Sequence, residues 1–171
     1  MPGLVLEGGT FRPVFSCGVM DALLDHDIMF DYVVGVSAGI TYAISYLSRQ
    51  RGRNLEVLRR YRGDSRYLGV RNLRHDHSIF GTDFVFDTIP NQLIPFDWEA
   101  YHRYKGRILV GVTNAETGRA EYLDGAKLDR TCTMLRATCA IPLYFPAVQL
   151  SGGTFYDGGV ADPIPIVRSL H

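Results

Sequence analysis

Apolar residues follow two different spacings along the first fifty residues, and these spacings predict two strand-helix units. "LVLEGG" is typical of a short buried strand that runs into a glycine turn, and "RPVFSCGVMDALLDHD" follows it with apolar residues at helical spacing. "DYVVGVS" predicts a second strand and "AGITYAISYLSRQ" a second helix. Two consecutive units of this kind predict an α/β fold in which helices cover a parallel sheet.

After residue 50, predicted strands and helices alternate less regularly. "NLEVLRRYR" predicts a short surface helix, whereas residues 64–98 have no clean period and predict an irregular excursion. "RILVGVTN" predicts a strong strand that pairs with "RAEYLD" across the "AETG" turn. "TCTMLRATCA" is predicted to be helical until Pro142 stops it, and "FPAVQL" and "TFYDGG" flank "SGG" as a hairpin. Because no repeat or linker interrupts the pattern, we predict one domain over residues 1–171.

Composition narrows the class of protein. The 171 residues are 46% hydrophobic and 21% charged, which is ordinary for a globular domain with a core. Eighteen basic residues balance eighteen acidic ones, so no overall field would attract nucleic acid. No stretch approaches the twenty or so apolar residues of a membrane span, and the first apolar stretch does not resemble a signal peptide. A cytoplasmic protein without a transmembrane segment is therefore expected.

The cysteines predict neither disulfides nor a metal site. Cys17, Cys132 and Cys139 are odd in number and lack the spacing of metal ligands. Small apolar neighbours around Cys17 and Cys139 indicate buried thiols in a reducing compartment.

A candidate nucleophile lies between the second predicted strand and helix. Gly35, Ser37 and Gly39 form a G-x-S-x-G pattern in the strand-turn-helix context that gives this pattern meaning. The glycines leave room for a sharp turn, and the helix N-terminus would stabilise developing negative charge near Ser37. The alternative is that Ser37 is a helix N-cap beside two packing glycines.

None of the five histidines has a sequence context that suits a general base for Ser37. Each of the five histidines lies among charged or polar residues or at the chain end, as surface histidines do: His26, His75, His77, His102 and His171. An α/β-hydrolase would also need the order serine, acid, histidine and several strand-helix units before the serine, where this chain has one. That fold is therefore disfavoured.

Two further patterns could complete a site. In "FYDGG", Asp157 precedes two glycines that would let it approach a hydroxyl, although an ordinary Asp-Gly-Gly turn is the alternative. Asp162, before Pro163, is more typical of a turn or a helix cap. In "LEGGTFRP", the N–H groups after the first strand could bind an oxyanion or a phosphate. Arg12 would support this loop or face an anionic substrate.

The three patterns in this order resemble the patatin-like phospholipase family, which combines a Gly-rich oxyanion loop, a G-x-S-x-G nucleophile and a D-G-G or D-G-A aspartate. The likeness includes "LEGGTFRPVFSCGVMDALL" and "LRATCAIPLYFPAV" and covers nearly the whole chain. It implies a three-layer α/β/α sandwich with a mainly parallel central sheet. It also implies that Ser37 is the nucleophile and Asp157 its base. The N–H groups of Gly8, Gly9 and Thr10 would form the oxyanion hole.

This chain departs from the family pattern in two ways. Thr10 and Pro13 replace the third and last glycines of G-G-G-x-R-G, so Thr10 must adopt a conformation usual for glycine. The chain also stops at "DPIPIVRSLH", where a further helix should just have begun. The resemblance therefore implies a single patatin-like domain over residues 1–171 that is incomplete at its C-terminus.

The implied activity is hydrolysis of a lipid or other ester, at a membrane surface or in solution, with no metal or cofactor. The aromatic-rich stretch from Tyr67 to Tyr104 is expected either to line an acyl-chain pocket or to form core and lid packing, through Phe80, Phe84, Phe86, Ile94, Phe96 and Trp98. Two alternatives remain open: a catalytically impaired domain that binds lipid or anions, and an acyltransferase, which would be expected to pair the serine with histidine.

Overall fold

The fold is seen in a computed structural model that describes residues 2–74 and 78–169. Three histidines weighed above, His75, His77 and His171, lie outside these ranges. The strands are β1 (Leu4–Leu6), β2 (Tyr32–Val36), β3 (Arg107–Asn114), β4 (Ala120–Asp124), β5 (Val148–Leu150) and β6 (Gly153–Asp157). The helices are α1 (Val14–Asp25), α2 (Ser37–Leu47), α3 (Arg53–Tyr61), α4 (Trp98–Arg103), α5 (Thr133–Thr138) and α6 (Ile166–Ser169).

The strands form one mixed sheet, which confirms the α/β class. Strands β1, β2 and β3 are parallel neighbours, as the two predicted strand-helix units require. The predicted hairpin of β3 and β4 is present, and so is that of β5 and β6; β6 also pairs antiparallel with β3. The parallel half of the sheet therefore carries the first glycine loop and the serine turn, and the antiparallel half carries Asp157.

Strands β2 and β6 meet end to end along one edge of β3. Strand β4 pairs with residues 109–113 of β3, which overlap both the residues paired with β2 and those paired with β6. Because a strand has two edges, β4 occupies one, and β2 and β6 share the other. Val36 is opposite Gly111 and Asp157 is opposite Val112, so the carboxyl ends of β2 and β6 face each other.

Helices pack on both faces of this sheet, four or more on one face and the single-turn α6 on the other. On one face, α2 is almost fully buried and packs against α1, α3 and α5 in a core that includes Val33 and Ile108. Tyr32 precedes Val33 and therefore points to the opposite face. There its hydroxyl donates to the carbonyl of Arg168 in α6, and the Arg168 guanidinium lies over the Tyr122 ring. This arrangement agrees with the predicted three layers.

The excursion over residues 64–98 is more ordered than its composition indicates. It contains a 3₁₀ turn at Val70–Arg74 and a π-helical segment at Phe84–Leu93, and α4 follows it. Pro90 lies inside the π-helical segment, which explains why the sequence did not signal a helix. Tertiary packing stabilises the segment instead, because Phe84, Phe86 and Ile89 are all buried.

Helix α5 ends earlier than the sequence indicates. It stops at Thr138, whereas we expected Pro142 to end it. The carbonyl of Ala140 accepts a hydrogen bond of 2.8 Å from the Asp157 N–H, so the chain leaves the helix to contact β6. In the described part of the chain, no helix combines the length and the apolar character that crossing a bilayer requires.

Candidate active site

Ser37 lies in a sharp turn and not in a cap position. It is the first residue of α2, and its φ of 52° is in the left-handed region that non-glycine residues rarely adopt. Val36 occupies the N-cap position, and the Ser37 hydroxyl donates to Oδ2 of Asp157 at 2.7 Å. The N-cap alternative for Ser37 is therefore wrong. Such backbone strain persists where the surrounding structure enforces it, often at functional sites.

Asp157 both forms a local Asp-Gly-Gly turn and contacts the Ser37 hydroxyl, which the sequence offered as alternatives. Its Oδ1 accepts a hydrogen bond of 2.8 Å from the Gly159 N–H, as in a local Asp-Gly-Gly turn. Its Oδ2 remains available and accepts from Ser37. A Cβ at Gly158 would lie 2.2 Å from the carbonyl oxygen of Gly111, so glycine permits the close approach of this turn to β3. The turn thus orients the carboxylate.

The environment of Asp157 favours proton uptake. The residue is only 5% exposed, and burial raises the pKa of its carboxyl group above its usual range. Hydrogen bonds from Ser37 and Gly159 act in the opposite direction and offset part of this effect on the pKa. Among the described residues, no cation lies within ion-pair distance of Asp157. A raised pKa makes this carboxylate a better proton acceptor than a solvated one.

Thr138 fixes the serine turn, and sequence reasoning missed it. The Ser37 N–H donates to the Thr138 hydroxyl oxygen at 2.8 Å, and that hydroxyl donates to the Gly111 carbonyl at 2.5 Å. Thr138 thereby ties the first residue of α2 to β3. Its only sequence signal was its place in "LRATCAIP", one of the segments that carried the family resemblance.

The first glycine loop passes close to the serine. A Cβ at Gly8 would lie 2.9 Å from the Cβ of Ser37, so no larger residue fits there without movement. Gly9 has a φ of 128° and Thr10 a φ of 53°. Thr10 therefore does adopt the left-handed conformation that the altered loop requires. Arg12 is exposed and forms an ion pair of 3.0 Å with Glu7, so its contacts lie within the loop.

The glycines that flank Ser37 permit close packing of α2 on the sheet. A Cβ at Gly39 would lie 2.2 Å from the carbonyl oxygen of Glu7. A Cβ at Gly35 would lie 3.0 Å from the Cβ of Leu6. Both glycines therefore allow β1 and its loop to lie directly beside the serine turn.

An apolar cavity opens beside Ser37. It has a volume of about 90 Å³ and is lined mainly by apolar and aromatic side chains, among them Phe11, Tyr42, Tyr67, Phe80, Phe86 and Phe145. A second cavity of about 70 Å³ shares part of this lining and adds Phe96 and Trp98. Of the predicted pocket residues, Phe84 and Ile94 instead belong to a neighbouring apolar cluster. The excursion thus supplies both pocket lining and core.

The other residues considered from the sequence, His26, His102 and Asp162, form no hydrogen bond with Ser37. His102 Nε2 pairs with the carbonyl of Leu128, and His26 follows the last turn of α1. Asp162 accepts a hydrogen bond from the Tyr122 hydroxyl and does not contact Ser37. No cluster of three or more His, Cys, Asp or Glu residues in the described ranges could hold a metal ion.

Comparison with known proteins identifies a family and two relatives. The family described as patatin-like phospholipase matches residues 4–168. The chain is 28% identical over 184 residues to the cGAMP-activated phospholipase of Pseudomonas aeruginosa (strain BWHPSA011 / Pa011), covering 98% of this chain and 55% of the relative. It is 24% identical over 177 residues to the uncharacterized protein YjjU of Escherichia coli (strain K12), covering 95% of this chain and 46% of the relative.

The chain therefore spans about half the length of these curated relatives. The family match covers nearly all of the chain and includes each of the residues that surround Ser37. The chain belongs to the patatin-like phospholipase family.

Proposed function

We propose that this protein is a serine lipid acyl hydrolase of the phospholipase A, lysophospholipase or esterase type, with Ser37 as nucleophile and Asp157 as general base. The observation that carries this proposal is the buried hydrogen bond of 2.7 Å between the Ser37 hydroxyl and Oδ2 of Asp157. A free serine hydroxyl is too weak a nucleophile to attack an ester, and a base in hydrogen-bond contact removes that limit.

The reaction would proceed in two steps. Ser37 attacks the ester carbonyl while Asp157 accepts the hydroxyl proton and then returns it to the leaving alcohol. A water molecule next attacks the acyl-serine, again with Asp157 as base, and releases the fatty acid. Because Gly159 holds Oδ1 of Asp157, Oδ2 keeps its orientation toward Ser37 in both steps.

Backbone N–H groups of Gly8, Gly9 and Thr10 are proposed to stabilise the tetrahedral oxyanion. The approach of Gly8 to Ser37 and the left-handed φ of Thr10 support this role, since together they keep the loop beside the nucleophile. Arg12 is proposed to support the loop through its ion pair with Glu7.

The substrate class follows from the pocket. Its lining is mainly apolar, which suits an acyl chain, and among the described residues no charged side chain lines the cavity beside Ser37. The name of the Pseudomonas relative, a phospholipase, supports a lipid ester as the substrate. We therefore place the scissile ester at Ser37 and the acyl chain in the cavity beside it.

A fluorophosphonate probe tests the proposal, because it modifies an activated serine covalently. We expect wild-type protein to be labelled at Ser37 and to hydrolyse a p-nitrophenyl ester. Ser37→Ala should lose both activities and keep its circular dichroism spectrum. Ser65→Ala, at an exposed serine, is the matched control and should behave as wild type.

Absence of labelling in folded wild-type protein would favour the impaired lipid- or anion-binding alternative, for which the Thr10 and Pro13 replacements are the relevant sequence feature. Acyl transfer is less favoured, because the two described histidines, His26 and His102, form no hydrogen bond to Ser37.

A further inference from the structure

Exposed apolar side chains border the cavity beside Ser37. In the loop that follows α5, Leu143 is fully exposed and Tyr144 is largely exposed. Leu143 has a φ of 72°, in the left-handed region that a leucine rarely adopts. On either side of Leu143, Ile141 and Phe145 line the cavity. This loop therefore directs apolar side chains both into the cavity and into solvent.

A second exposed apolar segment lies beside this loop. In the 3₁₀ turn, Val70 is 76% exposed and Leu73 is 50% exposed. Leu68, just before the turn, forms a β-bridge with Phe80. Phe80 lines the cavity and stacks on Phe145 of the other segment, with ring centroids 5.7 Å apart. Phe80 thus connects the two exposed segments at one border of the cavity.

The 3₁₀ turn lies in the most basic part of the chain. Residues 59–74 contain six arginines and one acidic residue, Asp64, although the whole chain has equal numbers of basic and acidic residues. Arg66, Arg71 and Arg74 line one surface cleft of about 420 Å³. Arg66 forms an ion pair of 2.8 Å with Asp64. Within the described ranges, Arg71 and Arg74 form no ion pair, so their charge is not neutralised locally.

This combination fits the surface of an anionic membrane. Large apolar side chains gain free energy when they leave water for the acyl region, and arginines bind the phosphates of lipid headgroups. A surface that carries both is typical of proteins that attach to the membrane interface. A soluble polyanion would leave Val70 and Leu143 in water, and a second copy of the same surface would bring like charges together. A bilayer that contains anionic lipids suits both kinds of side chain.

We infer that these two segments dock the protein onto membranes that contain anionic phospholipids. The apolar side chains enter the boundary between headgroups and acyl chains, and the two arginines outside ion pairs bind headgroup phosphates. The docking surface consists of Val70, Arg71, Leu73, Arg74, Leu143 and Tyr144. Docking holds the cavity against the bilayer, so that a phospholipid ester can approach Ser37 without crossing water. That last consequence rests on the proposed hydrolase function, whereas the attachment does not.

Cosedimentation with vesicles of ether-linked lipids tests the attachment, because these lipids have no ester to hydrolyse. We expect wild-type protein to bind phosphatidylcholine vesicles that contain about one third phosphatidylglycerol at least about tenfold more tightly than pure phosphatidylcholine vesicles. Raising the ionic strength should weaken this binding, since salt screens exposed charges. Equal affinity for the two kinds of vesicle, or no binding to either, would overturn the inference.

Variants of the docking surface test its position. Leu143→Ser should weaken binding to the anionic vesicles about tenfold, because one large side chain no longer enters the acyl region. Arg71→Gln should weaken it about fivefold and reduce the preference for anionic lipid. Ile28→Ser and Arg107→Gln are the matched controls and should bind as wild type. Both control residues are exposed and lie at the end of the sheet where β2 and β3 begin, away from Ser37.

The four substituted side chains are exposed, so each variant should keep the circular dichroism spectrum of wild type. Binding of the Leu143 and Arg71 variants that equals that of the controls would overturn the inference. Light scattering without lipid identifies the other possible occupant, a second copy. A wild-type dimer that Leu143→Ser dissociates, combined with no vesicle binding, would assign the surface to self-association and overturn the inference. Loss of fluorophosphonate labelling, by contrast, would bear only on the proposed hydrolase function.

Discussion

At the residue scale, Asp157 is a buried carboxylate with two hydrogen bonds and no cation within ion-pair distance in the described chain. Burial destabilises its charged form, and that same effect raises its proton affinity. The properties that suit Asp157 to the proposed role of base therefore disfavour its ionisation in the folded protein.

The first prediction concerns activity and pH. Since the base must be ionised, kcat/KM of the wild-type protein should fall as pH decreases through the raised pKa of Asp157. Asp157→Asn keeps the shape of the side chain but cannot accept the proton, and should reduce kcat/KM by about 10²–10⁴-fold. Ester hydrolysis across a pH series measures both effects. An Asn variant with the wild-type profile would exclude Asp157 as the base.

The second prediction concerns stability and pH. The folded pKa of Asp157 lies above its unfolded value, so its contribution to stability is fully present below the unfolded pKa and is lost as pH rises through the folded pKa. Asp157→Asn removes this loss. The free energy of unfolding of the Asn variant, relative to wild type, should therefore increase from acidic to neutral pH. Urea titrations at both pH values test this, and a difference that does not change with pH would contradict it.

At the element scale, the packing of α2 against β1 sets the position of the serine turn. The carbonyl of Glu7 approaches Gly39 so closely that a side chain there would overlap backbone atoms. Gly18, on the exposed side of α1, has no heavy atom within 4 Å of an added Cβ. The two helical glycines therefore differ in their tolerance of alanine.

The third prediction uses this contrast. Gly39→Ala should destabilise the protein by about 1–3 kcal/mol or more, because the backbone of β1 must move. Gly18→Ala should stabilise it by about 0.5–1 kcal/mol, because alanine is favoured over glycine in a helix. Denaturant midpoints of the two variants measure these changes. Equal midpoints would show that α2 tolerates separation from β1.

Most strands and helices could be predicted, because the spacing of their apolar residues and the residues that end them indicate the same element. Strands β1, β2 and β3 and helices α1, α2 and α3 follow directly from such patterns. The π-helical segment Phe84–Leu93 could not be predicted in this way, because Pro90 interrupts the local helical pattern. Burial against distant residues stabilises the segment instead. The end of α5 also depends on a distant contact, the hydrogen bond between Ala140 and Asp157.

At the scale of the whole molecule, the sequence indicated Ser37 and Asp157 as candidates but could not specify how they meet. Their contact requires β2 and β6 to share an edge of β3, which is a property of the sheet pairing. The hydrogen bonds of Thr138 and the cavity beside Ser37 likewise depend on long-range packing, which local patterns do not encode.

The fourth prediction concerns the thiols. Burial raises the pKa values of Cys17, Cys132 and Cys139 to about 12, so little thiolate is present at neutral pH. Native protein should therefore react slowly with Ellman's reagent, and unfolding in guanidinium chloride should release three reactive thiols. Prompt reaction of one thiol in the native state would identify an accessible cysteine, with Cys139 the most exposed of the three.

The end-to-end contact of β2 and β6 has a consequence for biosynthesis. Ser37 and Asp157 are 120 positions apart, so a ribosome must synthesise the chain through β6 before the two can touch. A nascent polypeptide that has emerged only as far as α5 lacks Asp157, the base of the proposed mechanism, and should not hydrolyse esters. Under the proposed mechanism, two separately expressed pieces divided between β4 and α5 should each be inactive, and esterase turnover should require that they are mixed and reassemble.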